Sequence, residues 1–284
     1  MLVRSLALIA ILPYISALPH GSDTTRHEER ADNQTIYYYT NTSSLTRQNP
    51  TYTKDQLNAI KLAYTSNDRL SLIRSFGDTD DYFKYDFSPT LSGGNAGSGE
   101  GGQGLLAQVS NFPVLMGTGL SLAMGFLGPC GLDSMHIHNR ATELVLLIKG
   151  GPLQTSFVME DGLTDPFNAT IGLYQAVIRP MGSIHWEFND NCQAAVFVTA
   201  LSNEDPGVSR TAQNFFVNPI DLVEGAMGYP AFLDNQTTEG IYRTLPRAFA
   251  LGAKECLKRC GVTYTPEDNP NYSTNTTKRD AVEE

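Results

Sequence analysis

From about residue 105 to 217 the chain is built from short apolar or alternating runs, and that feature constrains the fold most. LLAQVS, GLSLAMGFL, TELVLLIKG, QTSFVME, YQAVIRPMG, HWEFN and AAVFVTALS follow one another, punctuated by Gly, Pro, Asn and Asp. No long helical period interrupts them. Short strands at this spacing predict an all-β sandwich or barrel. At 284 residues and 41% hydrophobic content the chain can bury a full core, so one large domain with flanking arms is expected.

The flanks read differently. Residues 1–17, with Arg4 ahead of the apolar run Leu6 to Ile15 and small Ser16 and Ala17 after it, have the pattern of a signal peptide. That run is too short for a bilayer core of about 30 Å, and no later segment approaches the roughly 20 apolar residues of a spanning helix. No membrane anchor is expected. Residues 18–50 are polar and predict a disordered, glycosylated arm, and 265–284 a disordered tail. Asn-x-Ser/Thr sequons stand at Asn33, Asn41, Asn168, Asn235, Asn271 and Asn275; in a secreted chain they mark exposed backbone open to glycosylation.

The remaining boundaries place a barrel with an N-terminal extension over 51–218 and helices over 219–264. A helix is predicted around 53–65 and a short strand in FKYDFSPT. DLVEGAMGY and EGIYRTLPRAFALGAKECLKRCG also read as helical. The glycine cluster before the barrel contains G-x-G-x-x-G at Gly97, Gly99 and Gly102, but it lacks the buried strand before it and helix after it that a dinucleotide site needs. It predicts a flexible loop. With 20 Lys+Arg against 30 Asp+Glu and no basic aromatic-laced patch, nucleic acid is excluded as a partner.

Of five histidines, His20 and His27 fall in the arm and three fall in the β region. His136 and His138 are two apart, so on a strand both side chains leave the same face. Glu143 follows five residues later, within reach of a strand returning to that point, and His185 comes from another strand. Three imidazoles and a carboxylate make a mixed N/O site for manganese, iron or another divalent ion. The lack of a cysteine among them argues against structural zinc.

These residues carry a resemblance. The pattern G-x5-H-x-H-x4-E-x6-G is followed by His136, His138, Glu143 and Gly150, and G-x5-P-x-G-x2-H-x3-N by Pro180, Gly182, His185 and Asn189. With FPVLMGTGLSLAMGF before and AAVFVTALSNEDPG after, residues 80–220 resemble the cupin superfamily, specifically fungal-type germin-like and spherulin-like secreted proteins. The opening glycines of the two motifs are replaced by Cys130 and Tyr174, and prolines common around the histidine pair by Met135 and Asn139.

The resemblance implies a jelly-roll barrel with six-coordinate Mn(II) on His136, His138, Glu143 and His185. It implies a homo-oligomer, dimeric through the barrel or hexameric through the C-terminal helices, and an extracellular place such as the cell wall or apoplast. The implied activity is an oxidoreductase one on superoxide or a small carboxylate such as oxalate. Ala123 and Asp133 align with pocket asparagines of oxalate-oxidising germins, and an extra carboxylate there disfavours a dianionic substrate. The alternative is a non-enzymatic wall- or spore-associated metal-binding glycoprotein. Asp133 and Glu187 are candidates for groups behind the ligands, with a salt-bridged or solvent-facing Glu187 as the plainer reading. Trp186 and Phe188 should face away from the site, and Asn189 should end its strand by bonding to its own turn.

Four cysteines, Cys130, Cys192, Cys256 and Cys260, suit an oxidising compartment. If the two motif strands pair antiparallel with Ile137 opposite His185, Cys130 falls opposite Cys192, within disulfide range. Cys256 and Cys260, four apart on a predicted helix, are then left as a local pair or as free thiols.

Overall fold

The computed structural model describes residues 49–89, 96–231, 235–246 and 248–264. The expected signal segment, most of the arm, His20, His27, four sequons and the C-terminal tail lie outside them. In chain order the helices are α1 (Lys54–Leu62), α2 (Ser66–Arg74), α3 (Thr79–Phe83), α4 (Thr211–Phe216), α5 (Ile220–Ala226), α6 (Asn235–Thr244) and α7 (Lys254–Cys260). The strands are β1 (Gly97–Gly99), β2 (Gly102–Ala107), β3 (Ser121–Leu127), β4 (Gly131–Ile137), β5 (Glu143–Lys149), β6 (Leu153–Val158), β7 (Phe167–Ile171), β8 (Ala176–Arg179), β9 (Ile184–Phe188), β10 (Ala195–Leu201), β11 (Ser209–Arg210) and β12 (Phe249–Leu251).

Two antiparallel sheets face each other. One runs β1-β2-β3-β10-β5-β8; the other runs β11-β4-β9-β6-β7, with β12 added to β4. Alternation sets the faces: along β10, Ala195, Phe197, Thr199 and Leu201 are buried while their neighbours are not. Val145, Leu147, Leu153, Phe197 and Phe249 form the main apolar cluster between the sheets.

The N-terminal helical reading holds with a difference. Thr53 caps α1 in a box with Gln56, but a second box, Thr65 with Asp68, starts α2, so the segment is two helices. FKYDFSPT is not a strand: its described part pairs with no sheet, and Tyr85 and Phe87 pack in an aromatic group with Phe112. The glycine cluster is a β1–β2 hairpin, not a loose loop. A Cβ on Gly99 would stand 2.0 Å from the Phe249 carbonyl oxygen, and one on Gly101 1.7 Å from that of Ala250. The hairpin lies directly on β12, and only bare backbone fits there. The second C-terminal helix is likewise interrupted, because Phe249–Leu251 leaves it to pair with Gly131–Asp133 of β4.

The cysteines pair as Cys130–Cys256 and Cys192–Cys260, with Cα separations of 5.7 and 5.1 Å. This corrects the expected Cys130–Cys192 and Cys256–Cys260 pairs. His185 faces His136 rather than Ile137, and beyond a register shift Asp133 faces Glu187. Cys130 precedes β4 with φ 55° and so leaves the ladder. Cys256 and Cys260, one turn apart on α7, share a helix face, and each reaches across to the barrel.

Candidate metal centre

Three elements deliver the ligand candidates. β4 carries His136, β9 carries His185 in the position opposite, and β5 opens with Glu143 from the facing sheet. His138 follows the end of β4. All four are buried, and their nearest ligand atoms lie within 4.8 Å of one another. His138 Nε2 and His185 Nε2 stand 3.1 and 2.9 Å from Glu143 Oε2.

The far side of each ring settles its tautomer. Nδ1 of His136 lies 2.7 Å from the Ser134 carbonyl, that of His138 2.8 Å from Gly207, and that of His185 2.9 Å from Ser183. A carbonyl only accepts, so Nδ1 carries a proton in each ring, and Nε2 is the atom that each ring, when neutral, turns with its lone pair toward Glu143. Glu143 Oε2 and His185 Nε2 are buried without a hydrogen bond of proper geometry. Converging lone pairs, one carboxylate and orphaned polar atoms fit a divalent transition metal.

The β4 bulge makes this possible. On a regular strand Asp133 and His136 would face opposite ways, but one extra residue between them turns both inward. The displaced Ser134 carbonyl is the one that receives His136. Asp133 is buried and bound by Arg210, whose Nη1 donates to Oδ1 at 2.6 Å. Glu187 is also buried, in a 2.7 Å ion pair with Arg179, and its carboxylate lies within 4.8 Å of polar side-chain atoms of His136 and Asp133, so it is salt-bridged and stands behind the ligands at once. Trp186 and Phe188 pack toward the Cys130–Cys256 disulfide. Asn189 donates to the Gly128 and Gln193 carbonyls, tying down its turn.

Ionisation follows from burial and neighbours. Burial, then the neighbouring His185 and Arg210, pushes His136 well below its ordinary value. For Glu143, burial acts upward, yet the His138 and His185 rings against its carboxylate hold it well below the usual range. For His185, burial acts downward but Glu143 outweighs it, and the imidazole is raised. Burial raises Asp133 against the pull of Arg210, and raises Glu187 to about 7 against that of Arg179.

A narrow cleft open to solvent lies beside His136, His138 and Glu143, walled by Leu106, Ala123, Phe197, Leu201, Val208 and Phe249. Phe197 lies flat there because its cross-strand partner is Gly125, where a Cβ would meet the ring at 2.0 Å. Arg210 and Thr199 also line the cleft. Sequence reasoning missed Arg210, Phe249 and the backbone acceptors. Arg210 lies 77 residues from Asp133, and no local pattern marks it.

Two antiparallel sheets closed around three histidines and a glutamate are the architecture of a cupin. Residues 91–226 match the Cupin family model. Spherulin-1A of Physarum polycephalum is 34% identical over 194 residues, covering 68% of this chain and 74% of the spherulin. A putative germin-like protein 2-1 of Oryza sativa subsp. japonica is 31% identical over 137 residues, 48% of this chain and 62% of that protein. In structure, an oxalate oxidase solved with the substrate analogue glycolate aligns with a TM-score of 0.51 at 21% identity, over 60% of this chain and 83% of that one. The chain belongs to the cupin family, among its germin- and spherulin-like members.

Proposed function

We propose that this chain is a secreted manganese-binding cupin that acts as an oxidoreductase on superoxide or a small carboxylate. The observation that carries the reading is the convergence of three Nε2 lone pairs on a buried carboxylate, each ring locked by a backbone carbonyl. Manganese is favoured over iron or another divalent ion by the resemblance to germins, and the donor set is compatible with each. When bound, such an ion offers open positions to a small oxygen-rich ligand and one-electron redox chemistry. The chain's own part is to hold each ring by its Nδ1 so that Nε2 faces the ion, and to line the approach with apolar walls.

Likeness to oxalate oxidases is one of fold and brings no substrate with it. Superoxide is favoured over oxalate because Asp133 lies in the cleft. The second reading is a non-enzymatic extracellular wall- or spore-associated glycoprotein that stores the metal or uses it as a brace. It is supported by the placement of the four residues across both sheets, where an ion would tie the barrel together.

Secretion is supported by two disulfides and by the N-terminal pattern. Glycosylation at Asn168 is supported by its exposed place on edge strand β7; Asn33, Asn41, Asn235, Asn271 and Asn275 complete the proposed set. Homo-oligomerisation is supported by an exposed apolar row across one sheet.

The test is to purify the secreted protein, quantify its metals, and assay superoxide and oxalate turnover beside the His136→Ala, His138→Ala double variant. Metal with turnover that the double variant loses supports the enzyme. Metal without turnover above that variant leaves the brace reading, and no bound transition metal sinks both.

A further inference from the structure

The cleft beside the four candidate ligands has a charge pattern of its own. Its walls are apolar except for Thr199 and one ion pair, Asp133 with Arg210. Arg210 ends β11 directly opposite His136. Its Nη1 donates to Asp133 Oδ1 at 2.6 Å and its Nη2 to the Ala96 carbonyl at 3.3 Å, and its guanidinium lies 5.9 Å from the Phe249 ring centroid. The short N–O distance is that of a charge-assisted hydrogen bond, so the pair counts as one cation and one anion. Its net contribution to the cleft is zero.

That leaves the centre itself. A divalent ion on three neutral imidazoles and one carboxylate carries a net charge of about +1, judged from ligand charges alone. A single negative charge on an incoming ligand balances it. A second one would be left uncompensated among apolar walls, and burying an unpaired charge is costly.

We infer that the cleft selects small monoanionic carboxylates with an apolar body over dicarboxylates, and that Asp133 and Arg210 set this preference. The carboxylate of such a ligand goes to the metal, and its alkyl end meets Leu106, Phe197 and Phe249. Arg210 is a specificity residue because it offsets Asp133; neither is assigned a bond-making role. The inference rests on the metal-binding reading and goes beyond it by naming the ligand class.

The test uses the full-length protein loaded with Mn(II), its metal content determined first, and reads ligand binding from the Mn(II) EPR spectrum at pH 7. Lactate and malonate are the probes, each of three carbons and differing in charge. Lactate should bind at least about 10-fold more tightly than malonate, a difference of about 1.4 kcal/mol. Asp133→Asn, which raises the net charge by one, should shrink that ratio at least tenfold. The double variant Asp133→Asn, Arg210→Gln returns the pair to zero charge and should restore the wild-type preference.

Equal or tighter malonate binding by the wild type overturns the inference, as does a ratio unmoved by Asp133→Asn. A double variant that keeps the single variant's ratio overturns the charge account as well. Failure to load any metal, by contrast, sinks the metal-binding reading and this inference with it, so the two failures are told apart before any ligand is added.

Discussion

Tyr174 stands at φ 64° with its side chain 76% exposed, at the place where the second motif begins with glycine. Cys130, at the corresponding place in the first motif, stands at φ 55°. Both positions keep the left-handed backbone that a glycine would adopt freely, so the turns survive a residue poorly suited to them. That conformation costs an L-residue roughly 1–2 kcal/mol, offset in part by the larger unfolded-state entropy of glycine. Tyr174→Gly should therefore leave stability unchanged or raise it by up to about 1 kcal/mol in urea unfolding; a loss beyond that would show that the ring packs usefully. At the metal centre the sign of the pH effect comes from His185. Its raised value means that it must give up a proton before Nε2 can bind an ion, while His136, lowered by burial, is already neutral. Metal affinity should rise with pH through a value above about 6.5, with proton release at that pH measurable by calorimetry in buffers of different ionisation enthalpy. Binding without proton release at pH 6.5 would contradict this.

At the scale of elements, β12 and α7 act together. β12 pairs with β4, sets Phe249 into the cleft and lies under the glycine hairpin, while α7 is fastened by Cys130–Cys256 and Cys192–Cys260. The two bridges close long loops, with sequence separations of 126 and 68. Removing either as a paired Cys→Ser change should cost about 2–5 kcal/mol. Hydrogen exchange at Phe249–Leu251 should quicken before that of β5 or β10; uniform quickening would mean that the segment is not a separate unit. Hydrophobic periodicity made the helix carrying Cys256 and Cys260 visible in advance. It could not reveal β12, because three residues have no period and gain their strand geometry only from β4.

For the whole molecule, the candidate ligands span both sheets: His136 and His185 on one and Glu143 on the other. An ion there would tie the sheets together, so stripping the metal with a chelator should lower the melting temperature. At a free metal concentration 1,000 times Kd the linkage is worth about 4 kcal/mol. Calorimetry with and without chelator reads it, and an unchanged melting point would argue against tight binding by the fold. The outer face of the first sheet bears a row of Leu122, Ala200, Leu144 and Ile178, cross-strand neighbours that are all exposed. A continuous apolar row of this kind is what an interface between copies would cover. Leu144→Lys, a surface change, should convert an oligomer to monomer in light scattering without loss of metal; an unaltered mass would place the interface elsewhere.

The sequence alone determined the fold class and the four candidate ligands, because strand alternation is local, the histidine pair needs only a two-residue spacing, and the motif resemblance supplies Glu143 and His185 as its partners. It also marked Asp133 and Glu187. Tertiary structure decided what surrounds them. A single extra residue in β4 sets the register, turns Asp133 inward and supplies the Ser134 carbonyl for His136. The same shift, with Cys130 in a left-handed turn, sends the cysteines to α7 instead of to each other. Arg210 enters the site from far along the chain. A bulge and a long-range ion pair are chosen by the packing of the whole barrel, and neither has a local pattern from which to be read.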